Sequence, residues 1–272
     1  MRHGRRTQVV WLEQILVPKR GPSTAPPDGL FTKGQVNRAG ALLLDLRRRA
    51  ARDGAERAVE DSDEDRLEEA WEALTWWRSL HARPLSTVAA NLRYHVANED
   101  GHVNGRIEVT QRLKRMSTIV EKLGREQGNV TQMHDIGGVR ALLPSQHHVY
   151  ALTRRLRKTW TIVRVRDYIA EPKPSGYRAV HLIVHRRGYP IEVQLRTVLQ
   201  DAWANAVEEA GRRTGTGLKF GHGGAEVLEA LAATGDVLAQ VDRGELGADD
   251  LRAALNAMRS LLEQAGARRK DP

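Results

Sequence analysis

The hydrophobic positions of the chain change their spacing near residue 105. Between Thr32 and Val96, apolar residues recur every three or four positions, which predicts amphipathic helices. Between Gly105 and Ala210, short runs rich in β-branched residues predict strands at Val139–Leu143, Thr161–Ile169, Tyr177–Arg187 and Ile191–Thr197. The pattern therefore predicts an α/β or α+β sheet domain, of which we adopt α+β, with a mixed β-sheet flanked by helices and helical extensions at both ends.

Turn and capping signals divide the pattern further. Thr118 and Glu121 fit a capping box, so we expect a helix to begin at Thr118. Tyr189-Pro190, which follows Gly188, predicts a tight hairpin between the last two strands. Further helices are predicted at Val149–Lys158, at Val198–Ala210 and, as a pair broken near a glycine-containing turn, within Ala225–Gln264.

Four regions follow from these patterns. Residues 1–30 read as a basic arm and linker because their prolines and glycines do not sustain a helix or a central strand. Residues 31–104 form a helical region, residues 105–222 a sheet-containing core, and residues 223–272 a pair of helices with a basic tail.

Composition excludes several classes of protein. The 272 residues include 43 Lys and Arg against 34 Asp and Glu, a formal net charge of +9 that favours anionic partners. Cysteine is absent, which excludes a disulfide scaffold, a thiol nucleophile and Cys-based metal sites. No apolar run approaches the roughly 20 residues of a membrane span, and no apolar stretch follows the basic start. We therefore expect a soluble, cytoplasmic protein without a membrane partner.

Two carboxylates have settings that suit metal-assisted chemistry. Asp135 directly precedes a glycine pair and an apolar strand, and Glu192 shares one strand face with Gln194. A carboxylate at a strand edge can bind Mg²⁺, and two converging carboxylates suit phosphoryl-type transfer. The alternative is that both are surface carboxylates on amphipathic strands.

A second candidate is the cation-rich segment before the helix predicted at Thr118. Backbone N–H groups at a helix start, joined by Lys114 and Lys122, would form a cradle for a polyphosphate, with Arg112 on the approach. The alternative is a solvated basic face.

Tyr177 and His181 form a third candidate. Pro174-Ser175-Gly176 is a turn signal that places Tyr177 at a loop–strand junction, and His181 follows four residues later on the same face. The tyrosine ring could stack on a base, although composition alone favours an ordinary half-buried strand tyrosine.

The order of these segments resembles the synthetase domain of the RelA/SpoT family, which makes guanosine tetra- and pentaphosphate. The matching stretches are RLKRMSTIVEK, DIGGVR, RDYIAEPKPSGYRAVHLIV and IEVQLRTVLQDAWANAVE. Weaker similarity, in FTKGQVNRAG and WWRSLHARPLSTVAANLR, is to the single-domain small alarmone synthetases, including their toxic branch. The resemblance implies a nucleotidyltransferase-like fold and a pyrophosphokinase that moves pyrophosphate from ATP to the 3′-hydroxyl of GDP or GTP.

The resemblance also implies roles for individual residues. It makes Asp135 and Glu192 the catalytic and Mg²⁺-binding carboxylates, with Glu192 binding metal or accepting the hydroxyl proton. The residues implied to bind ATP are Arg112, Lys114, Thr118, Lys122 and Arg140, of which Arg112 and Arg140 would sandwich the adenine. The residues implied to bind the acceptor are Arg166, Lys173, Tyr177, His181 and Gln194.

Several alternatives remain open. The same chemistry could act on adenine nucleotides or on the 3′ end of tRNA, with phosphate contacts from Arg2–Arg20, Arg154–Lys158 and Arg268–Lys270. A catalytically inactive nucleotide sensor or RNA-binding module is a third reading. An antitoxin and a second copy of the chain are further candidate partners. His134-Asp135 lies inside the synthetase motif, so we expect no hydrolase activity, and we interpret His147-His148 as surface residues.

Overall fold

The computed structural model describes residues 29–53, 64–97, 107–126, 128–214, 218 and 224–267. The arm Arg2–Arg20 and the tail Arg268–Lys270 lie outside the described residues. The chain divides into two units: the first comprises residues 1–88, 111–138 and 185–192, and the second residues 89–110, 139–184 and 193–272. The four regions expected from the sequence remain a prediction.

Eight α-helices, five strands and one 3₁₀ turn make up the described chain. In order, they are α1 (Lys33–Asp53), α2 (Glu64–Ser79), α3 (Ala82–Ala97), β1 (Glu108–Leu113), α4 (Met116–Glu126), a 3₁₀ turn (Val130–Gln132), β2 (Gly137–Leu143), α5 (Gln146–Thr159), β3 (Ile162–Asp167), β4 (Val180–Arg186), β5 (Tyr189–Thr197), α6 (Val198–Thr214), α7 (Ala225–Asp242) and α8 (Ala248–Ala267).

The five strands form one sheet in the order β1-β2-β5-β4-β3. Strands β3 and β4 pair in antiparallel fashion, with Arg166 opposite His181 and a register shift between Ile162 and Arg164. The α+β prediction is confirmed. Strand β1 was not predicted, because its polar sequence EVTQRL leaves most of its side chains exposed.

The strand predicted from Tyr177 begins only at Val180, and residues 177–179 precede it without strand pairing. The hairpin between β4 and β5 is confirmed, but its turn is Arg187-Gly188, and Tyr189-Pro190 already belong to β5. Both turn residues have positive φ, at 53° and 82°. Positive φ at both positions characterises the type I′ turn, whose twist matches that of the flanking strands.

Threonine–glutamine pairs cap two helices. At α1, Thr32 Oγ1 accepts the N–H of Gln35 at 3.2 Å, and Gln35 Oε1 accepts the N–H of Thr32 at 2.9 Å. At α6, Thr197 and Gln200 make the same reciprocal pair at 3.1 Å. The start predicted at Thr118 is wrong, because α4 begins at Met116 and Thr118 already lies in its first turn.

Each unit has its own apolar core. The first packs α1, α2 and α4 through residues such as Leu43, Trp77 and Ile119. The second packs α6, α7 and α8 around Trp203, Leu231 and Met258. None of the described helices combines the length and the apolar character that crossing a membrane requires.

Candidate active site

In the first unit, Asp135 joins two lysines. Its Oδ2 atom accepts hydrogen bonds from Lys114 Nζ and from Lys122 Nζ, each at 2.9 Å. The backbone brings these residues together: Lys114 donates its N–H to Ile136 O at 2.8 Å, and α4 carries Lys122. Arg78 Nε also donates to Lys114 O at 2.7 Å, which holds the segment before α4. The cluster therefore combines two ammonium groups and one carboxylate close to a helix N-terminus.

The charges in this cluster stabilise one another. Burial alone would raise the pKa of Asp135, but the charges and hydrogen bonds of Lys114 and Lys122 outweigh it, so this pKa lies below its usual value. Burial would lower the pKa of Lys122, but the charges of Asp135, Glu126 and Glu192 raise it overall. Near neutral pH both partners are therefore charged, as phosphate binding requires.

Arg112 and Thr118 are close to Lys114 and Lys122 in the sequence. Arg112 is exposed on β1, and its carbonyl oxygen lies about 4.0 Å from where a Cβ on Gly138 of β2 would stand. Thr118 is half-buried in the first turn of α4. The positive end of the helix macrodipole therefore lies in the same segment as Arg112 and Lys114, which favours anions there.

Asp135 and Glu192 provide the kind of oxygen ligands that Mg²⁺ prefers. Asp135 Oδ1 is buried and has no hydrogen-bond partner, so one hard oxygen is left for a cation. Glu192 is half-buried on β5, and its negative charge contributes to raising the pKa of Lys122. Among the described residues there is no group of three or more His, Asp or Glu side chains that could by itself hold a metal ion. Mg²⁺ commonly takes only one or two carboxylates and completes its shell with water and substrate phosphates.

In the second unit, a short loop carries Tyr177, a residue that is only 2% exposed. Lys173 Nζ lies 5.1 Å from the ring centroid of Tyr177 and 4.6 Å from that of Tyr168. The Tyr177 hydroxyl and His181 Nε2 are 2.6 Å apart, so the expectation that these two share a face is confirmed, although Tyr177 precedes the strand. A base stacking on Tyr177 would have to take the place of Lys173 or of another group that covers the ring.

A buried arginine that the sequence reasoning missed organises this part of the second unit. Arg196 is 1% exposed, and its Nη2 atom donates to the Tyr177 hydroxyl at 2.5 Å and to Gln194 Oε1 at 2.8 Å. Its Nη1 atom donates to Asp201 Oδ1 at 3.0 Å, and the same oxygen accepts Arg140 Nη1 at 2.8 Å. Asp201 thereby links Arg140 to the residues around Tyr177. The alternation that places Glu192 and Gln194 on one face also includes residue 196, and that signal could have revealed Arg196.

The remaining candidates lie apart from these contacts. Arg166 is exposed on β3, opposite His181 of β4. His147 and His148 lie in the first turn of α5, where His148 Nδ1 and Ser145 Oγ are 2.8 Å apart. The structure thus gathers Lys114, Lys122 and Asp135 in the first unit and Arg140, Lys173, Tyr177, His181 and Gln194 in the second.

Comparison with known proteins identifies the family. Residues 111–212 match the region found in RelA and SpoT proteins. The GTP pyrophosphokinase YwaC of Bacillus subtilis is 36% identical over 150 residues, which cover 48% of this chain and 71% of that relative. The chain belongs to the RelA/SpoT family. A second relative from B. subtilis, the GTP pyrophosphokinase YjbM, is 36% identical over 112 residues, and this chain covers 52% of its length.

Solved structures of RelA/SpoT proteins agree with the fold. The small alarmone synthetase 1 of B. subtilis bound to its product pppGpp has a TM-score of 0.53 and 26% identity, covering 64% of this chain and 93% of that one. The small alarmone synthetase 2 of B. subtilis has a TM-score of 0.51 and 25% identity, covering 62% and 95%. The predictions of a RelA/SpoT synthetase fold and of an enzyme of the nucleotide pyrophosphokinase class are confirmed.

Proposed function

We propose that this chain transfers the β,γ-pyrophosphate of ATP to the 3′-hydroxyl of GDP or GTP, forming a (p)ppGpp-type alarmone and releasing AMP. The observation that carries the proposal is the Lys114–Asp135–Lys122 cluster at the start of α4, in a chain whose relatives are pyrophosphokinases. Two ammonium groups and a helix N-terminus are what a triphosphate requires, because the attacked phosphorus lies among negative oxygens.

The donor side of the reaction is assigned to the first unit. Phosphate oxygens would replace Asp135 as partners of the Lys114 and Lys122 ammonium groups, while Thr118 offers its hydroxyl from the first turn of α4. Arg112 remains a proposed adenine contact, because a planar guanidinium stacks well on a base. The role implied for Arg140, which belongs to the second unit, remains a prediction.

Asp135 and Glu192 are the residues that would hold Mg²⁺. The ion would neutralise phosphate charge that the lysines leave uncompensated. The partnerless, buried Asp135 Oδ1 atom supports this assignment, and Glu192 is a half-buried carboxylate of the same unit.

The transfer itself needs one proton acceptor. The 3′-oxygen forms a bond to the β-phosphorus of ATP. The bond between that phosphorus and the oxygen that bridges the α- and β-phosphates breaks, and AMP leaves with that oxygen. The hydroxyl proton passes to Glu192 and then to solvent. The charge of Glu192 already acts on Lys122, which supports a place for it on the donor side.

The acceptor side is assigned to the second unit. Lys173, Arg166, His181 and Gln194 would contact the acceptor phosphates and ribose, and Tyr177 would stack on its base. The relative whose structure contains pppGpp supports guanine as that base.

The tRNA reading is the second candidate, and one surface favours it. Arg154, Arg157 and Lys158 are exposed on α5, and three cations on one helix suit a nucleic-acid backbone. This reading keeps the same donor chemistry and changes only the acceptor.

The product spectrum tests the proposal. Purified protein with labelled ATP and Mg²⁺ is offered GDP, GTP, ADP, ATP or tRNA in parallel. We expect AMP release and a 3′-pyrophosphorylated product with GDP or GTP. AMP release that requires tRNA would overturn the assignment of a guanine nucleotide as the acceptor. AMP release with ADP or ATP alone would show that the acceptor is an adenine nucleotide.

A single substitution tests the role of Glu192 as the proton acceptor. Glu192→Gln keeps the size of the side chain but not its charge, so transfer should fall on the order of 10²–10³-fold while ATP still binds. Glu209→Gln is the matched control, because Glu209 is an exposed acid on α6 that forms an ion pair with Arg212 at the surface. Undiminished turnover of Glu192→Gln would show that the proton acceptor is another group.

A further inference from the structure

Helix α7 approaches the loop before β4 at a pair of glycines. We define the acceptor loop as residues 168–179, which carry Lys173 and Tyr177. A Cβ atom on Gly235 of α7 would lie 2.7 Å from Gly176 O, and one on Gly176 would lie 2.7 Å from Leu231 O. Both obstacles are backbone oxygens, which cannot rotate away as a flexible side chain can. The two backbones therefore meet at a distance that only glycine allows.

Gly235 also stands where glycine is unfavourable for the helix alone. It lies in the interior of the 18-residue helix α7, where glycine lowers helix stability relative to alanine. Gly176 has a φ of 80°, a conformation that other residues rarely adopt. Close packing against the acceptor loop explains both glycines.

Arg178 fastens the loop to the same helix. Its Nε atom donates to Gly235 O at 3.3 Å, and its Nη2 atom forms an ion pair with the Asp236 carboxylate. Its Nη1 atom donates to Ile169 O at 3.1 Å, so one side chain joins α7 to both ends of the acceptor loop. The Arg178 side chain is 12% exposed, so its two contacts with backbone carbonyls are partly buried, whereas the Asp236 side chain is 60% exposed.

The position of Gly176 governs the residues that face the acceptor. Gly176 donates its N–H to Lys173 O at 2.7 Å, and Lys173 donates its N–H to Tyr177 O at 3.3 Å. Ser175 between them is buried. A shift of Gly176 would therefore move Lys173 and Tyr177 together.

We propose that α7 is a positioning element for the acceptor, in which Gly235 and Asp236 set the conformation of the acceptor loop without touching a substrate. The proposal rests on the proposed function, because it takes residues 168–179 as the part of the chain that binds the acceptor. It gives the helix following the synthetase core a role in acceptor affinity.

Kinetics of two variants and a control test the proposal. Gly235→Ala should lower kcat/KM for the acceptor about 10- to 100-fold, mainly through KM, because small displacements of binding groups are costly. The KM for ATP should stay within about twofold. Asp236→Asn removes only the ion pair with Arg178, on an exposed side chain, and should change the acceptor KM in the same direction by a smaller factor.

Ala233→Gly is the matched control for helix stability. Ala233 is exposed on α7, so this change weakens the helix without approaching the loop, and the acceptor KM should not change. Equal losses for ATP and acceptor in Gly235→Ala, or an acceptor defect of the same size in Ala233→Gly, would overturn the positioning role.

Hydrogen exchange separates this proposal from the proposed function. The amide of Gly176 is held by Lys173 O, so it should exchange faster in Gly235→Ala than in the wild type or in Ala233→Gly, whatever acceptor the enzyme uses. Unchanged exchange across residues 168–181 would overturn the proposal. Wild-type turnover measured in parallel decides the proposed function on its own.

Discussion

Asp135 uses its two carboxylate oxygens differently. Oδ2 accepts both lysines, while Oδ1 is buried without a partner. An ion pair made only for stability would leave neither oxygen unsatisfied, because a buried lone acceptor costs free energy. The unequal use of the two oxygens agrees with the proposal that Asp135 Oδ1 binds a cation while Lys114 and Lys122 bind a polyphosphate.

Removal of one ammonium group tests this view of the site. Lys122→Met keeps the aliphatic stem and deletes the charge, so the rate of AMP release should fall on the order of 10²–10³-fold. Lys158→Met on α5 is the control, because Lys158 is an exposed lysine at the end of that helix. A loss below about threefold in Lys122→Met, similar to that of the control, would contradict a phosphate contact at this lysine.

His81 is a buried titratable residue whose ring is completely enclosed. Its Nδ1 atom lies 2.9 Å from Trp77 O, its Nε2 atom has no partner, and the rings of Trp77 and Tyr189 pack against it. Burial lowers its pKa to about 4, against the partly compensating Trp77 carbonyl. The folded protein therefore holds His81 neutral over a pH range in which the unfolded chain protonates it.

The pH dependence of stability should reveal this histidine. The unfolded chain binds the proton from about pH 6.5 downward and the folded protein only near pH 4, so stability present above pH 6.5 is lost as the pH falls between these values. The loss amounts to about 3 kcal/mol. Urea unfolding at several pH values measures it, and His81→Leu should flatten the curve over that range. An unchanged slope in His81→Leu would assign the acid sensitivity to other groups.

At the scale of elements, the predictable parts are those whose cause is local. β-branched runs predicted β2 to β5, and the segment Tyr189-Pro190 after Gly188 predicted the β4–β5 hairpin, because period and turn preference operate within a few residues. Strand β1 carries no such signal, because its exposed polar side chains owe their conformation to pairing with the neighbouring strand. The start of α4 was misplaced for a related reason, since Thr118 and Glu121 match a capping motif without forming the cap.

The site shows the same division. The alternation along β5 predicted that Glu192 and Gln194 share a face, and both are half-buried and alternate with the buried residues Val193 and Leu195. The Lys114–Asp135 contact spans 21 residues, and no spacing rule predicts it. Only the resemblance to a known family assigned Lys114 and Asp135 to one active site. Asp201 was missed because one of its partners, Arg140 of β2, is far from it in the sequence and only the fold brings the two together.

The hairpin turn offers a test at this scale. Arg187 has a φ of 53°, which costs an ordinary side chain roughly 1 kcal/mol, whereas asparagine tolerates it. Arg187→Asn should raise the free energy of unfolding by about 0.5–1 kcal/mol, measured by urea denaturation. Arg187→Ala also removes the arginine side chain but keeps the strain, so it should not stabilise. Equal stabilities of the two variants would show that the turn is not strained.

At the scale of the whole molecule, the net charge of +9 is shared among different kinds of surface. Lys114 and Lys122 are tied to Asp135 in the candidate site, Arg140 and Arg196 share Asp201, and Arg178 fastens α7 to the acceptor loop. The exposed cations Arg154, Arg157 and Lys158 on α5 belong to none of these arrangements. Net charge alone therefore says little about the partner, and within the described residues the tRNA proposal can be tested at the cations of α5.

Neutralising that face of α5 decides between the two acceptors. In the guanine nucleotide proposal, the triple variant Arg154→Gln, Arg157→Gln, Lys158→Gln should keep turnover with GDP within about twofold, because these side chains neutralise no substrate phosphate. In the tRNA reading, the same variant should lose tRNA-dependent AMP release, and the slope of log K against log salt should become shallower by about 3, one unit for each lost phosphate contact. AMP release measured at several salt concentrations, with GDP and with tRNA, separates these outcomes. A loss of GDP turnover in the triple variant would contradict the assignment of the acceptor to the loop that carries Tyr177.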